Sequence, residues 1–267
     1  MRSGFKYPLI SFLIAVAFYI KPQSGIFMIA LVIISVIHVS GWKSLKESLL
    51  PVILSVLCFL AVAVPVEHVK SSYFEPDKAL GFTHFAMMGL NVRTNGGYAI
   101  EDVEYSQQFT TSEERTKGEI ERIRERMESI DLSEHFRNKL LFNYNDGNFY
   151  FGQEGGFYSF VFRDLFVFSA FLKDVFLDTG KYYSVIKTVR HLLYVAVLFL
   201  SLFSFKDRRK EVLLIKLSLT GLFMFQMLFE ARSRYLFIYV PFLIILACIG
   251  MRDIGTAYKT MNGRQEL

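Results

Sequence analysis

Six consecutive residues, Glu230-Ala231-Arg232-Ser233-Arg234-Tyr235, put three charges into the gap between two runs built almost entirely of Leu, Ile, Phe, Met and Val. Where such runs cross a bilayer, Glu230, Arg232 and Arg234 sit at its boundary, and an unpaired charge there costs a few kcal/mol. A single arginine at that depth snorkels its head group to the lipid surface. Two at i and i+2, with an acid before them and a tyrosine after, point to an anion held at the membrane. A guanidinium offers a planar fork to two phosphate oxygens and an ammonium offers a point charge, so Lys21, in an earlier gap between apolar runs, suits the same lipid phosphate. Three unrelated interfacial charges is the plainer alternative.

The elements that must position these residues are membrane helices. Hydrophobic residues make up 52% of the 267, with 28 Phe, and the mean hydropathy is +0.33, too apolar for an ordinary soluble domain. The fold class expected is an all-α integral membrane protein of six spans with one large, mainly helical extracytoplasmic segment. The first apolar run, Pro8 to Ile20, is followed by Lys21-Pro22-Gln23, which offers no small-x-small cleavage site, so it reads as a membrane helix and not a secretory signal. The second run spans Gly25 to Val39. Each holds roughly 15 residues against the roughly 20 that a bilayer core requires. A tilted pair of short spans and a hairpin broken at Pro22 both remain open. A third run covers about Leu49 to Val66, and three more follow at about Val185 to Phe205, Val212 to Phe229 and Tyr235 to Met251. The organisation is therefore residues 1–66 with spans one to three, 67–184 as the large segment, and 185–267 with spans four to six and a tail.

Short-loop charge sets the orientation. Arg2, Lys6, Lys43, Lys46, Lys206, Arg208, Arg209, Lys210, Arg252, Lys259 and Arg264 fall on one side, against Lys21, Arg232 and Arg234 on the other. The positive-inside rule then makes both termini cytoplasmic in a multi-pass cell-membrane protein. It puts the large segment, Lys21 and the arginine pair on one outer face. Net charge of +5 is explained by this loop bias and not by a nucleic-acid groove. Cys58 and Cys248 lie in apolar runs and read as small buried hydrophobes.

Inside the large segment, Thr111 stands three before Glu114, a capping-box spacing that opens a helix to about Ser129. Ile120, Ile123 and Met127 give it one narrow apolar stripe, so its charges read as a solvated face. A second helix is expected from about Leu132 or Ser133 to Phe142, again with solvated charges. Arg163 to Tyr183 is Phe-rich and amphipathic and reads as an interfacial helix. Two loops are suggestive. His84 and Asn91 flank an apolar patch ahead of the turn Asn95-Gly96-Gly97-Tyr98, and Asn145-Asp146-Gly147-Asn148-Phe149 begins a stretch rich in Gly, Asx and aromatics. Aromatic faces beside amides and carboxylates suit sugar rings, although the same residues also simply make turns. His84 with Glu101 or Asp102 lacks metal-ligand spacing, and a structural histidine is expected. No cofactor is called for, with a divalent cation left open.

The chain resembles the C-terminal half of bacterial membrane glycosyltransferases of the GT-C type, close to protein O-mannosyltransferases and aminoarabinose transferases (family 39-like) of Gram-positive bacteria. The likeness rests on YIKPQ at Tyr19 to Gln23, THFAMMGLN at Thr83 to Asn91 with the following GGY, YNDGNFYFGQEGGF at Tyr144 to Phe157, and EARSRYLFIYVP at Glu230 to Pro241. The resemblance implies transfer of a sugar from a polyprenyl-phosphate carrier to an extracytoplasmic glycan or protein acceptor. Lys21, Arg232 and Arg234 would steady the carrier phosphate and Tyr235 would orient the arginines. His84, Asn91, Tyr98, Asn145 and Phe149 would shape the sugar or acceptor loop.

Family members carry a catalytic acid in their first outer loop and about twice as many spans, whereas the first acid here is Glu47, on the inner side. The expectation is an N-terminally truncated or split form, needing a partner chain for activity. A complete enzyme would recruit Glu101, Asp102 or Asp146 as general base. A non-enzymatic membrane subunit, or a flippase component of envelope polysaccharide assembly, is the alternative.

Overall fold

The computed structural model describes residues 6–37, 42–145, 171, 174–175 and 180–262. All regular elements among them are helical. In chain order they are α1 (Lys6–Ile20), α2 (Gly25–Ile37), α3 (Trp42–Tyr73), α4 (Phe82–Gly89), α5 (Ile100–Gln107), α6 (Ser112–Ser129), α7 (Leu132–Tyr144), α8 (Tyr183–Leu202), α9 (Lys210–Leu228) and α10 (Val240–Asn262). Four stretches among the described residues are long and apolar enough to cross a membrane: Val52–Tyr73, Tyr183–Lys206, Lys210–Leu228 and Ser233–Lys259. The apolar parts of α1 and α2, Leu9–Ile20 and Pro22–Ile37, are shorter. At 1.5 Å per residue, α2 reaches only about 20 Å against a hydrocarbon core of about 30 Å.

The chain divides into two compact units, Met1–Leu132 with Arg208–Glu230, and Ser133–Asp207 with Ala231–Leu267. This division cuts across the three consecutive segments expected from hydropathy. In the first unit α1 packs along α3, and α2 packs on α9. Phe18 meets Phe59 edge-on with centroids 5.5 Å apart, and the Tyr19 hydroxyl donates to Ala63 O at 3.3 Å. Gly221 admits α2 closely, since a Cβ there would lie 2.6 Å from Ile26 Cγ2. Lys21, with extended φ −148° and ψ 105°, caps a 3-10 turn at Pro22–Ser24, the break expected of Pro22. The α3 helix outruns its apolar stretch and continues through Glu67 and Lys70 to Tyr73, because those residues form a solvated i, i+3 pair at 3.5 Å that leaves the helix intact.

In the second unit α8 packs on α10, and a Cβ on Gly250 would overlap Leu200 O. Arg252 reaches Asp207 at 3.3 Å and Asp253 at 2.7 Å. Almost none of the apolar windows of α3 and α8 is buried in protein. Side chains such as Val64, Leu192 and Leu193 stay more than half exposed, so lipid must cover them. The interfacial helix expected from Arg163 lies almost wholly outside the described residues.

Candidate functional site

The site grows from the helices α4, α5 and α6, all in the first unit. The α4 helix seats its C-terminal end on the end of α9: a Cβ on Gly89 would fall 2.6 Å from Phe229 C, and Glu230 N donates to Phe85 O at 2.8 Å. Two of the stretches that carried the resemblance therefore touch. After α4 the chain turns through Asn91, whose Oδ1 accepts from Arg93 N at 3.1 Å. Asn95 and Gly96 then adopt left-handed conformations (φ 51° and 72°), the turn expected from Asn-Gly-Gly. Thr111 Oγ1 accepts from Glu114 N at 3.3 Å and starts α6 as its capping box requires.

The α6 helix then departs from expectation. Its buried face is Arg115, Gly118 and Glu119, with Arg122 and Arg126 continuing the same side, while Ile120 and Met127 are 45% and 52% exposed. The solvated-charge reading fails here because α4 and α5 present polar groups, and only polar partners satisfy them. Arg115 donates to three backbone carbonyls, Ser106 O at 3.0 Å, Ala79 O at 2.8 Å, and Asp77 O. Glu119 accepts from Ser106 Oγ at 2.7 Å and from Thr83 Oγ1. Ser106 spends its one proton on Glu119, so its contact with His84 Nδ1, at 2.7 Å, must be donated by the imidazole. That assigns the Nδ1–H tautomer and leaves Nε2 buried without a partner among the described residues. Burial pushes the His84 pKa down, outweighing the upward pull of Glu119, Asp102 and Glu230. The chain His84–Ser106–Glu119 has the residue types of a nucleophilic triad but not its order, since Ser106 and not the histidine is in the middle, and each member is at most 1% exposed. It locks three helices together, in line with a structural histidine.

Asp102 is equally enclosed, at 2% exposure. Arg126 grips both its oxygens at 2.5 and 3.1 Å, Asn91 Nδ2 adds a bond at 2.9 Å, and Arg126 Nη1 also caps Met87 O at 2.5 Å. A carboxylate so saturated is ill-suited to take a proton from an acceptor hydroxyl. Glu101 is the accessible carboxylate, 3.7 Å from Arg93. Between the Leu90–Arg93 turn, α5 and α6 lies a cleft of about 320 Å³ lined by Asn91, Arg93, Glu101, Asp102, Arg122 and Arg126 with Leu90, Val92, Ser129 and Ile130. Tyr98 is half exposed. No group of three or more His, Cys, Asp or Glu side chains able to hold a metal occurs among the described residues.

The remaining candidates divide between the two units. Lys21 belongs to the first unit and Arg232, Arg234 and Tyr235 to the second. Tyr235 is buried beneath Arg234, whose guanidinium carbon stands 5.9 Å from the ring centre. Asn145 is exposed just past α7, while Asp146 and Phe149 fall outside the described residues. On α7 the solvated-face expectation also fails, since His135, Lys139 and Asn143, spaced four apart, are all buried. Burial pushes the Lys139 ammonium down to about 7.

Hydropathy also passed over two cations. Lys187 and Arg190 lie within the run taken as apolar from Val185. Arg190, two turns into α8, is half-buried, and its Nε and Nη2 are buried with no hydrogen-bond partner among the described residues. Their signal was a basic pair at i, i+3 inside a span. For α6 it was the recurrence of Arg115, Glu119, Arg122 and Arg126 at helical spacing.

A family model described as a conserved hypothetical integral membrane protein matches residues 4–254. No curated protein and no solved structure matches the chain.

Proposed function

Because the chain belongs to that family of integral membrane proteins, we propose that it works from within the bilayer on a lipid-linked substrate. The reading is a membrane glycosyltransferase that moves a sugar from a polyprenyl-phosphate carrier to an extracytoplasmic glycan or protein acceptor. In this reading α1 and α2 complete six crossings as a short pair bent at Lys21-Pro22, both termini are cytoplasmic, and residues 67–184 lie outside the cell membrane.

The observation that carries it is Arg190. Its Nε and Nη2 form one edge of the guanidinium, two parallel N–H groups, buried in an apolar helix with no partner among the described residues. Leaving such donors unmade is costly, and a phosphate supplies the matching pair of oxygens. With the large segment outside, Arg190 sits toward the outer leaflet, as do Lys21, Arg232 and Arg234. Glu101 is the carboxylate best exposed to act as general base. A second reading, a carrier-binding subunit with no chemistry of its own, is favoured by the saturation of Asp102.

The test uses the purified full chain with polyprenyl-phosphate-linked sugar. Carrier binding is expected, weakened roughly 10-fold or more by Arg190→Ala, the loss of one charge-assisted pair. Sugar transfer on top of binding supports the enzyme, and binding without transfer supports the subunit. Absence of binding, or binding indifferent to Arg190→Ala, overturns both.

A further inference from the structure

We infer that the cleft between the Leu90–Arg93 turn and α5 and α6 binds an oxyanion carried on a hydroxylated body, the chemistry shared by a sugar phosphate and a uronate. It shares Glu101 with the transferase reading but needs no lipid carrier and none of Lys21, Arg190, Arg232 or Arg234, so each can fail without the other.

The charge balance of the cleft follows from its bonding. Asp102 and Arg126 cancel through two hydrogen bonds, which leaves Arg93 and Arg122 facing two exposed carboxylates, Glu101 in the cleft lining and Glu125 outside it. Neither arginine is held by a short ion pair. Arg93, with its side chain 86% exposed, approaches Glu101 only to 3.7 Å, and Arg122 approaches Glu125 only to 3.6 Å. Exposed pairs at those distances hold their partners weakly, so an incoming anion can displace them. Arg122 is nevertheless positioned, because its guanidinium lies over the Tyr105 ring at 4.3 Å, and stacking fixes the fork at small entropic cost. The floor is rigid as well: Asn91 is 4% exposed and uses its amide nitrogen on Asp102 and its oxygen on Arg93 N. A preorganised floor with one stacked arginine, Arg122, and one exposed at the rim, Arg93, is how a small concave site selects an anion. Val92 and Ile130 line the same void of about 320 Å³ and offer apolar contact to the C–H face of a sugar ring, while Glu101 can accept from a hydroxyl.

Detergent-purified full chain is titrated calorimetrically with glucose 6-phosphate, glucuronate, inorganic phosphate and glucose. Saturable binding of the first two is expected, with phosphate weaker and glucose silent, and the stronger of the first two identifies which oxyanion the site prefers. Arg93→Gln and Arg122→Gln should each weaken binding about 10-fold, the worth of one charge-assisted contact. Arg124→Gln, an exposed neighbour outside the cleft, should leave it unchanged. Glu101→Gln removes the competitor for Arg93 and should tighten binding, a change of opposite sign that misfolding cannot mimic. Absence of binding by any anion, equal binding of glucose, or affinity unmoved by the two arginine variants and by Glu101→Gln overturns the inference.

Discussion

Helices α8 and α10 and helices α4 to α6 place their side chains by opposite rules. In the first pair, apolar side chains such as Leu192, Leu193 and Ile244 face outward, close approach comes from a glycine, Gly250, set against Leu200, and charged side chains are few: Lys187 and Arg190 in α8, and Arg252, Asp253 and Lys259 in the second half of α10. In the second, Arg115, Glu119, Asp102 and His84 are buried and Ile120 and Met127 are out. Lipid accepts an apolar exterior, so a span needs only shape at its contacts. Helices α4 to α6 enclose Asp102, Arg115 and Glu119, and each enclosed charge must then be paired and hydrogen-bonded in full. Their order therefore rests on specific bonds, and single changes there should be felt more than in the spans.

The largest expected loss is at Arg126. Arg126→Ala strands Asp102 as a buried charge and should cost about 3–5 kcal/mol, read as a lowered denaturation midpoint of the purified chain. Replacing Arg126 and Asp102 together by Leu should cost less than the single change. A loss below about 1 kcal/mol would mean that water reaches Asp102 and that the segment is not closed.

Gly89→Ala comes next. Its methyl would meet Phe229 backbone, which has little freedom to yield, so a loss of about 1–3 kcal/mol is expected. The matching change Gly250→Ala, against Leu200 O in the spans, allows the two kinds of packing to be ranked by the same assay. The smallest effect belongs to Ile120→Ser and Met127→Ser, expected within about 0.5 kcal/mol of the parent because both side chains face outward. A larger loss would place that stripe against a partner or the membrane.

Much of this was legible in the residues. The run Tyr235 to Met251, the break at Lys21-Pro22, the Thr111 cap and the Asn95-Gly96 turn depend on local stereochemistry or on long apolar runs, which a sequence displays directly. What was hidden is of another kind. The inward face of α6 is decided by what α4 and α5 offer it, and a rule that sends charge to water and Ile to the core reads it backwards. Arg190 was hidden by averaging, since one arginine among Leu and Val barely moves the hydropathy of a run. Of the site candidates, Asn91 lines the cleft, His84 bonds Ser106 in the α4–α6 network, and Lys21 and Arg232 belong to different units.

The most direct test of the inverted α6 helix, and of its proposed place outside the cell, is cysteine labelling on intact cells. With Cys58 and Cys248 replaced by Ala, Met127→Cys should react with a membrane-impermeant maleimide added from outside, at a rate matching an exposed position. Reaction only after the cells are opened would put α6 in the cytoplasm, and failure to react even then would bury the stripe; either result contradicts the account.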